Sequence, residues 1–302
     1  MFALTYRVYG EPEVLRVEQG LPEPHAGARQ VRIRVRAASV NAYDVKRRAG
    51  RHSGGRPLTE PIIPGIDASG VVDEVGEGVS GVAVGDEVFG LGSATCAELA
   101  VLDVVAAKPP SLSFEAAAAL PVAVETAARS LDLLGLREGA TVVIDGAAGG
   151  VGSAAVQLAV ARGLRVIGTA SASRHDYLRS LGATPTTYGP GLPARVAELA
   201  PGGVQGALDL AGKGSVPELV ALTGDPQRVV TIADFGARDL GVIVTSGGSG
   251  RASYALAQAA ALHAAGRFVV TIEQVFPLAL AARAHRVSEG GHVTGKLVLT
   301  VP

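Results

Sequence analysis

From Ala147 to Gly152 the chain reads Ala-Ala-Gly-Gly-Val-Gly, a spacing able to cradle a phosphate. Small residues let a backbone come close to an anion, and the free N–H groups and dipole of a following helix would hold it. In that reading Gly149 admits the pyrophosphate of a dinucleotide, Gly152 lets helix and strand pack closely, and Ala147, Gly150 and Val151 complete the cradle. Ala147 stands in the first glycine slot of G-x-G-x-x-G, so the match is imperfect. Taken alone, the same glycines also suit a plain tight turn.

The flanking elements support the nucleotide reading. Val142-Val143-Ile144 is an apolar, β-branched run that predicts a strand buried on both faces. Ser153 to Arg162 reads as a helix, and Leu164 to Thr169 as a second strand at the distance of a βαβ unit. That strand ends Gly168-Thr169-Ala170-Ser171-Ala172-Ser173-Arg174, with no acid before Asp176. An acid there accepts ribose hydroxyls in NAD sites and repels a 2′-phosphate, so its absence points to NADPH. Ser171 can donate a hydrogen bond to that phosphate, and Tyr188, ending the third strand, would lie beside the adenosine. Further strand-like runs at 184–188, 206–210, 228–232 and 241–245 alternate with helical stretches, which predicts a parallel sheet. Residues 252–265 read as a helix leading out.

The N-terminal part has a different texture. Residues 3–9, 15–18 and 31–37 are short β-type runs separated by Pro and Gly. In Val31-Arg-Ile-Arg-Val-Arg the alternation is strict, so Arg32, Arg34 and Arg36 should form a wet strand face. The turn-rich segments that follow predict a small barrel-like domain. Near the C-terminus, Phe268 to Ile272 reads as a strand, Pro277 to Glu289 as a helix and Lys296 to Val301 as a last strand.

Composition bounds the functional classes. Residues of hydrophobic type make up 48 % and aromatics only 4 %, so a sizeable core must rest on Ala, Val and Leu. With 27 basic and 28 acidic residues there is no positive excess for nucleic acid or an anionic membrane. Cys96 is the single cysteine, which excludes an intrachain disulfide and a cysteine-rich zinc lobe; we expect a small buried hydrophobe. No stretch has the order of a signal peptide or the length of a membrane span, so a cytoplasmic protein is expected.

Several segments together resemble the medium-chain dehydrogenase/reductase superfamily, in its zinc-free quinone oxidoreductase (zeta-crystallin-like) branch. They are Asn41-x-x-Asp44, Pro61-Ile-Ile-Pro-Gly-Ile-Asp67-x-Ser-Gly, Val84-Gly-Asp-Glu-Val, Leu120-Pro-Val-Ala-Val-Glu-Thr126-Ala, the glycine-rich turn, Gly182-Ala183 and Gly295-Lys296-Leu-Val-Leu. The resemblance implies a GroES-like β-barrel-type catalytic domain, residues 1–121 and 266–302, interrupted by a doubly wound Rossmann domain, residues 122–265. It implies that a nicotinamide lies in the cleft between domains, bordered by Asn41, Asp44 and Thr126, although Asn and Asp also serve simple turns. Arg174 falls where relatives often carry a Lys for the 2′-phosphate, one turn into the next helix, and would otherwise be a solvated helix residue. Where zinc-dependent relatives have a Cys ligand this chain has Asn41, and its six histidines follow no metal spacing, so no metal is expected.

Candidate proton donors are Tyr43 and His52, set against loop packing for the first and plain exposure for the second. Relatives often carry Gly-x-Tyr where this chain has Gly50-Arg51-His52, which removes an aromatic wall of the substrate site. Phe235, in Ala233-Asp-Phe-Gly-Ala-Arg, would cover the nicotinamide or pack in the core. The implied function is an NADPH-dependent reductase of a small quinone or enone. Enoyl-thioester reduction in a biosynthetic pathway and a non-enzymatic NADPH-binding role stand as alternatives. An apolar edge at Leu240 to Thr245 predicts a homodimer.

Overall fold

In the computed structural model, residues 1–51, 53–247 and 251–302 are described. Along the chain the elements are β1 (Ala3–Thr5), β2 (Arg16–Glu18), β3 (Val31–Val40), α1 (Ala42–Arg48), β4 (Asp67–Val75), β5 (Glu87–Ser93), β6 (Leu99–Ala107), α2 (Phe114–Ala118) and α3 (Pro121–Leu134). There follow β7 (Thr141–Asp145), α4 (Gly150–Ala161), β8 (Arg165–Thr169), α5 (His175–Ser180), β9 (Thr184–Thr186), α6 (Leu192–Leu199), β10 (Gly206–Asp209), α7 (Val216–Thr223), β11 (Val229–Thr231) and β12 (Ile243–Val244). The chain ends with α8 (Tyr254–Ala264), β13 (Ile272–Pro277), α9 (Ala281–Glu289) and β14 (Lys296–Thr300). It divides into two compact units, one of Met1–Val122, Leu256–Ala264 and Val270–Pro302, the other of Ala123–Ala255 and Ala265–Val269.

The first unit is built on β3. Its N-terminal half pairs with β6 and its C-terminal half with β14, both antiparallel, while β4 runs along its other edge. Register shifts between Arg32 and Ile33 and between Val35 and Ala37 let the strand change neighbours and curl the sheet β13-β14-β3-β4-β5-β6 into a closed form. The expected alternation holds: Val31, Ile33 and Val35 are buried in one cluster with Val72, Val88 and Leu102. Arg32 and Arg34 face the other way and pair with Asp73 and Glu98. The strand expected at Phe268 to Ile272 lies instead at Ile272–Pro277. Val269 is engaged elsewhere, its N–H donating to Gln157 Oε1 at 2.7 Å and its carbonyl accepting from Gln157 Nε2 at 3.1 Å. The helix expected from Pro277 begins as a single 3-10 turn, and α-helix starts at Ala281.

Helix α9 buries His285 against Arg48 of α1, whose guanidinium donates to Glu289 and to the Gly10 carbonyl. Burial, with Arg48 beside it, lowers the His285 pKa to about 4. Between pH 4 and 6.5 the unfolded chain therefore binds a proton that the native state does not, and stability falls as the pH drops through that window. We expect His285 to account for roughly 3 kcal/mol of acid destabilisation, and His285→Gln to remove it. The Asp44 carboxyl, raised to about 6 by burial, acts in the opposite sense. The measurement is therefore the difference between native and variant in urea midpoint from pH 6.5 to 4, in which Asp44 cancels. Parallel pH profiles would refute it.

The second unit is a parallel sheet of order β12-β11-β10-β7-β8-β9. Successive strands step outward from β7 through β8 and β9, then from β10 through β11 and β12 on the other side. The order reverses between β7 and β10, which opens a crevice at the strands' carboxyl ends. Val142, Val143 and Ile144 are fully buried, as a central strand requires. The last strand is shorter than expected. Asp234 accepts from the N–H groups of Gly236 and Ala237 and starts a 3-10 helix over Phe235–Leu240, which the left-handed Gly241 ends, leaving only Ile243 and Val244 to pair with β11.

Candidate functional site

At the switch point, Asp145 ends β7 and is almost wholly buried. Its carboxylate accepts from Thr169 Oγ1, at the end of β8, and from Ser215 Oγ at 2.7 Å, beyond β10. It therefore ties the two sides of the crevice together. Asp209 does the same work for the next turn, accepting from the N–H groups of Ala211 and Gly212 and from Thr231 Oγ1. Both acids close apolar strand runs in the sequence, a signal that sequence reasoning passed over. Gly146 takes φ 79° and donates its N–H to Thr169 Oγ1, which turns the chain into α4.

The glycine-rich turn divides its work between two positions. A Cβ on Gly152 would lie 2.1 Å from the Gly146 carbonyl oxygen and 2.7 Å from Ala147 Cα, so only glycine lets α4 pack there. A Cβ on Gly149 would meet nothing nearer than 3.5 Å, which leaves its outer side open. Gly149 is the N-cap of α4, with no capping side chain and no acid in the first turn. Among the described residues no acceptor is found for the N–H groups of Gly150, Val151 and Gly152. Ala147 is fully buried behind this helix start. A twelve-residue helix with an uncapped, acid-free start suits an anion.

The loops after β8 and β9 flank this end of the sheet. Ser171 Oγ lies 3.2 Å from Ser173 Oγ, and Arg174 ends a 3-10 turn directly before α5, rather than one turn into that helix. The first acid, Asp176, is exposed and paired with Arg179 at 2.6 Å. Tyr188 is 60 % exposed in a loop held from α6 by Arg195, which donates to the carbonyls of Thr187, Gly189 and Pro190. Nothing in the sequence singled out Arg195. Phe235 is 53 % exposed, which removes the core alternative for it. Thr126 is buried, and its hydroxyl donates to Glu125 and accepts from Arg129, the two forming a buried ion pair.

The first unit holds a second polar cluster. Asn41 caps α1; its N–H donates to Asp44 Oδ2 at 2.9 Å, while Gly65 N–H donates to Asp44 Oδ1 at 3.2 Å. Asn41 Nδ2 donates to Asp67 Oδ2 at 2.9 Å, and its Oδ1 accepts from Lys296 Nζ at 2.6 Å. Asp67 and Lys296 were not among the expected site residues, although each is a lone charge within an apolar strand run. Tyr43, in the first turn of α1, is 47 % exposed. Cys96 is buried as expected, and burial pushes its thiol pKa up. His52 lies outside the described residues. Among the described residues no three His, Cys, Asp or Glu side chains are grouped so as to hold a metal ion, and no helix is long and apolar enough to cross a membrane.

Comparison with known proteins agrees with both units. Residues 27–105 match the alcohol dehydrogenase GroES-like domain family, and residues 181–299 the zinc-binding dehydrogenase family. A 2-methylene-furan-3-one reductase of Solanum lycopersicum is 40 % identical over 200 residues, covering 61 % of this chain and 50 % of that protein. The chain thus spans about half the length of such curated relatives. A crystal structure of an NAD-dependent alcohol dehydrogenase superposes with TM-score 0.84 at 32 % identity, covering 100 % of both chains. The quinone oxidoreductase of Coxiella burnetii superposes with TM-score 0.84 at 29 % identity, covering 100 % of this chain and 99 % of its own.

Proposed function

The chain belongs to the medium-chain dehydrogenase/reductase superfamily, and on that basis we propose that it is a member of the quinone oxidoreductase branch, a cytoplasmic, NADPH-dependent, zinc-independent reductase of quinones or α,β-unsaturated carbonyls. The observation that carries this reading is the crevice between β7 and β10, where an uncapped helix start stands beside an acid-free loop bearing Ser171 and Arg174. In this reading residues 122–265 form the nucleotide-binding domain. Ala147 to Gly152 hold the pyrophosphate, Ser171 and Arg174 the 2′-phosphate, and Tyr188 the adenosine. Asn41, Asp44, Thr126 and Phe235 border the nicotinamide.

The cofactor supplies a hydride, and the reduced acceptor takes one further proton. The protein's task is to orient, to exclude competing reactions and to support the charge that develops on oxygen. In this reading Tyr43 or His52 donates the proton, and water can do so for a quinone. The test is NADPH oxidation, followed by absorbance, with quinones, simple enones and enoyl thioesters in parallel. Turnover of thioesters alone would move the assignment to an enoyl-thioester reductase. Tight NADPH binding with no turnover of any acceptor would overturn it in favour of a non-enzymatic role.

Metal analysis of the purified protein should find no stoichiometric zinc, and chelators should leave turnover unchanged. A tightly held zinc needed for turnover would refute this. We further propose a homodimer. Among the described residues strand β12 pairs with β11 alone and ends the sheet, and the neighbouring Leu240 is 48 % exposed. Light scattering should give twice the monomer mass; the monomer value would count against it.

A further inference from the structure

An ion pair sits at the heart of the first unit. Lys296 on β14 and Asp67 on β4 are 8 % and 0 % exposed, and their charged atoms lie 3.2 Å apart. Asp67 is saturated: Oδ2 accepts from Ser39 Oγ, Asn41 Nδ2 and Lys296 Nζ, and Oδ1 accepts from the N–H of Val122 at 2.7 Å. A buried pair of this kind contributes little net stability compared with apolar side chains of similar volume, because both ions must leave water. Its geometry has another consequence. Lys296 donates into Asn41 Oδ1 while Asp67 accepts from Asn41 Nδ2, so the carboxamide is held at both ends and cannot flip. An amide nitrogen has two hydrogens. One is engaged by Asp67, and among the described residues the other has no acceptor. The cluster therefore has donors in excess, fixed in direction, with a cation behind them.

We propose that the second Nδ2 hydrogen of Asn41 is an oxyanion donor, binding the carbonyl oxygen of the acceptor where negative charge builds as hydride adds to carbon. Lys296 and Asp67 are its positioning residues. They hold the carboxamide in one orientation, and the Lys296 charge polarises the amide through Oδ1. This rests on the reductase reading above and assigns Asn41 to the acceptor rather than only to the nicotinamide. A fixed donor of this type typically contributes about 10²–10³ in kcat.

The decisive protein is the double variant Lys296→Met/Asp67→Asn, in which neither member of the pair is left as a lone buried charge. Lys296→Met alone strands the Asp67 carboxylate and should lose stability, so it serves as the control for folding. The double variant should melt within a few degrees of native and bind NADPH with a Kd within about threefold. Its kcat for 1,4-naphthoquinone should fall about 100-fold with KM little changed, because the lost interaction belongs to the developing oxyanion. Lys296→Arg, which keeps the charge, should restore part of kcat. A readout independent of turnover is 4-nitrophenol, whose colour reports its ionisation. The native protein should bind it as the phenolate with a lowered pKa, and the double variant should not. A double variant with native kcat, or a native protein that leaves the nitrophenol pKa unmoved, would overturn the proposal. Absence of all turnover together with retained phenolate binding would instead refute the reductase reading and leave the donor in place.

Discussion

Gly152→Ala should markedly destabilise the nucleotide-binding unit, and Gly149→Ala three residues earlier should leave the fold intact. At Gly152 the added carbon falls 2.1 Å from the Gly146 carbonyl oxygen and within 2.8 Å of the Ala147 backbone. Those neighbours are main-chain atoms in the turn tied to Thr169 and Asp145, so they cannot rotate aside. Overpacking a close-packed interior costs about 1–3 kcal/mol, and a backbone clash belongs at the upper end. For a unit of this size that lowers Tm by roughly 10 °C. At Gly149 the backbone is in the ordinary extended region, φ −75°, and the nearest atom to an added carbon is at 3.5 Å. Its Tm should stay within about 2 °C, a surface-type effect under 0.5 kcal/mol. Its NADPH affinity should nonetheless fall by more than about tenfold, since the methyl enters the face we assign to the pyrophosphate. Calorimetry and fluorescence titration read the two quantities separately. A Gly152→Ala protein as stable as native would show that the helix start is looser than described. Undiminished NADPH binding by Gly149→Ala would show that the dinucleotide does not cross this turn.

Arg174→Ala should separate the two cofactors. The loop after β8 carries no acid to receive ribose hydroxyls, and Asp176, the first acid reached, is bound to Arg179. Ser171 and Arg174 precede α5 at the carboxyl end of the sheet, the side on which doubly wound folds bind nucleotides. A charge-assisted hydrogen bond contributes about 1.5–3 kcal/mol. Removing it should weaken NADPH by about tenfold to a hundredfold and leave NADH nearly unchanged. One solved relative is named an NAD-dependent alcohol dehydrogenase, so the contrast between cofactors is informative for this chain. The measurement is the Kd of both cofactors for native and variant. Equal native affinities, or equal losses, would refute the 2′-phosphate assignment.

Periodicity and turn chemistry are local, and what depends on them was legible in the sequence. The strict alternation of Val31 to Arg36 predicts one buried and one wet face; β3 displays the alternation, with Arg32 and Arg34 on the outer face paired to Asp73 and Glu98. The run Val142-Val143-Ile144 followed by Gly146 to Gly152 predicts a central strand, a tight turn and a close-packed helix, because only a missing Cβ permits that approach. The order of strand-like and helix-like runs was enough for the parallel sheet. Edges were less legible. The strand near Phe268 moved to Ile272–Pro277, and the last Rossmann strand shrank to two residues. Strand limits are set by which partner is in reach and by competing side chains, here Gln157 holding Val269 and Asp234 starting a 3-10 helix.

Polar networks were the least legible, because their members are distant in sequence and only the closed sheet makes them neighbours. Asp67 and Lys296 are 229 residues apart, yet β4 and β14 flank β3 on either side and bring their charges together at Asn41. Asp145 and Ser215 are 70 residues apart and meet across the switch point because the strand order reverses there. The sequence by itself determined that glycines turn the chain from a buried strand into a close-packed helix, since that rests on contacts within a few residues, whereas the helix that Asn41 and Asp44 begin was not read from it. Only the tertiary structure decided which groups fix the Asn41 carboxamide. A buried charge must find its partner wherever packing brings one, and no local pattern encodes that meeting.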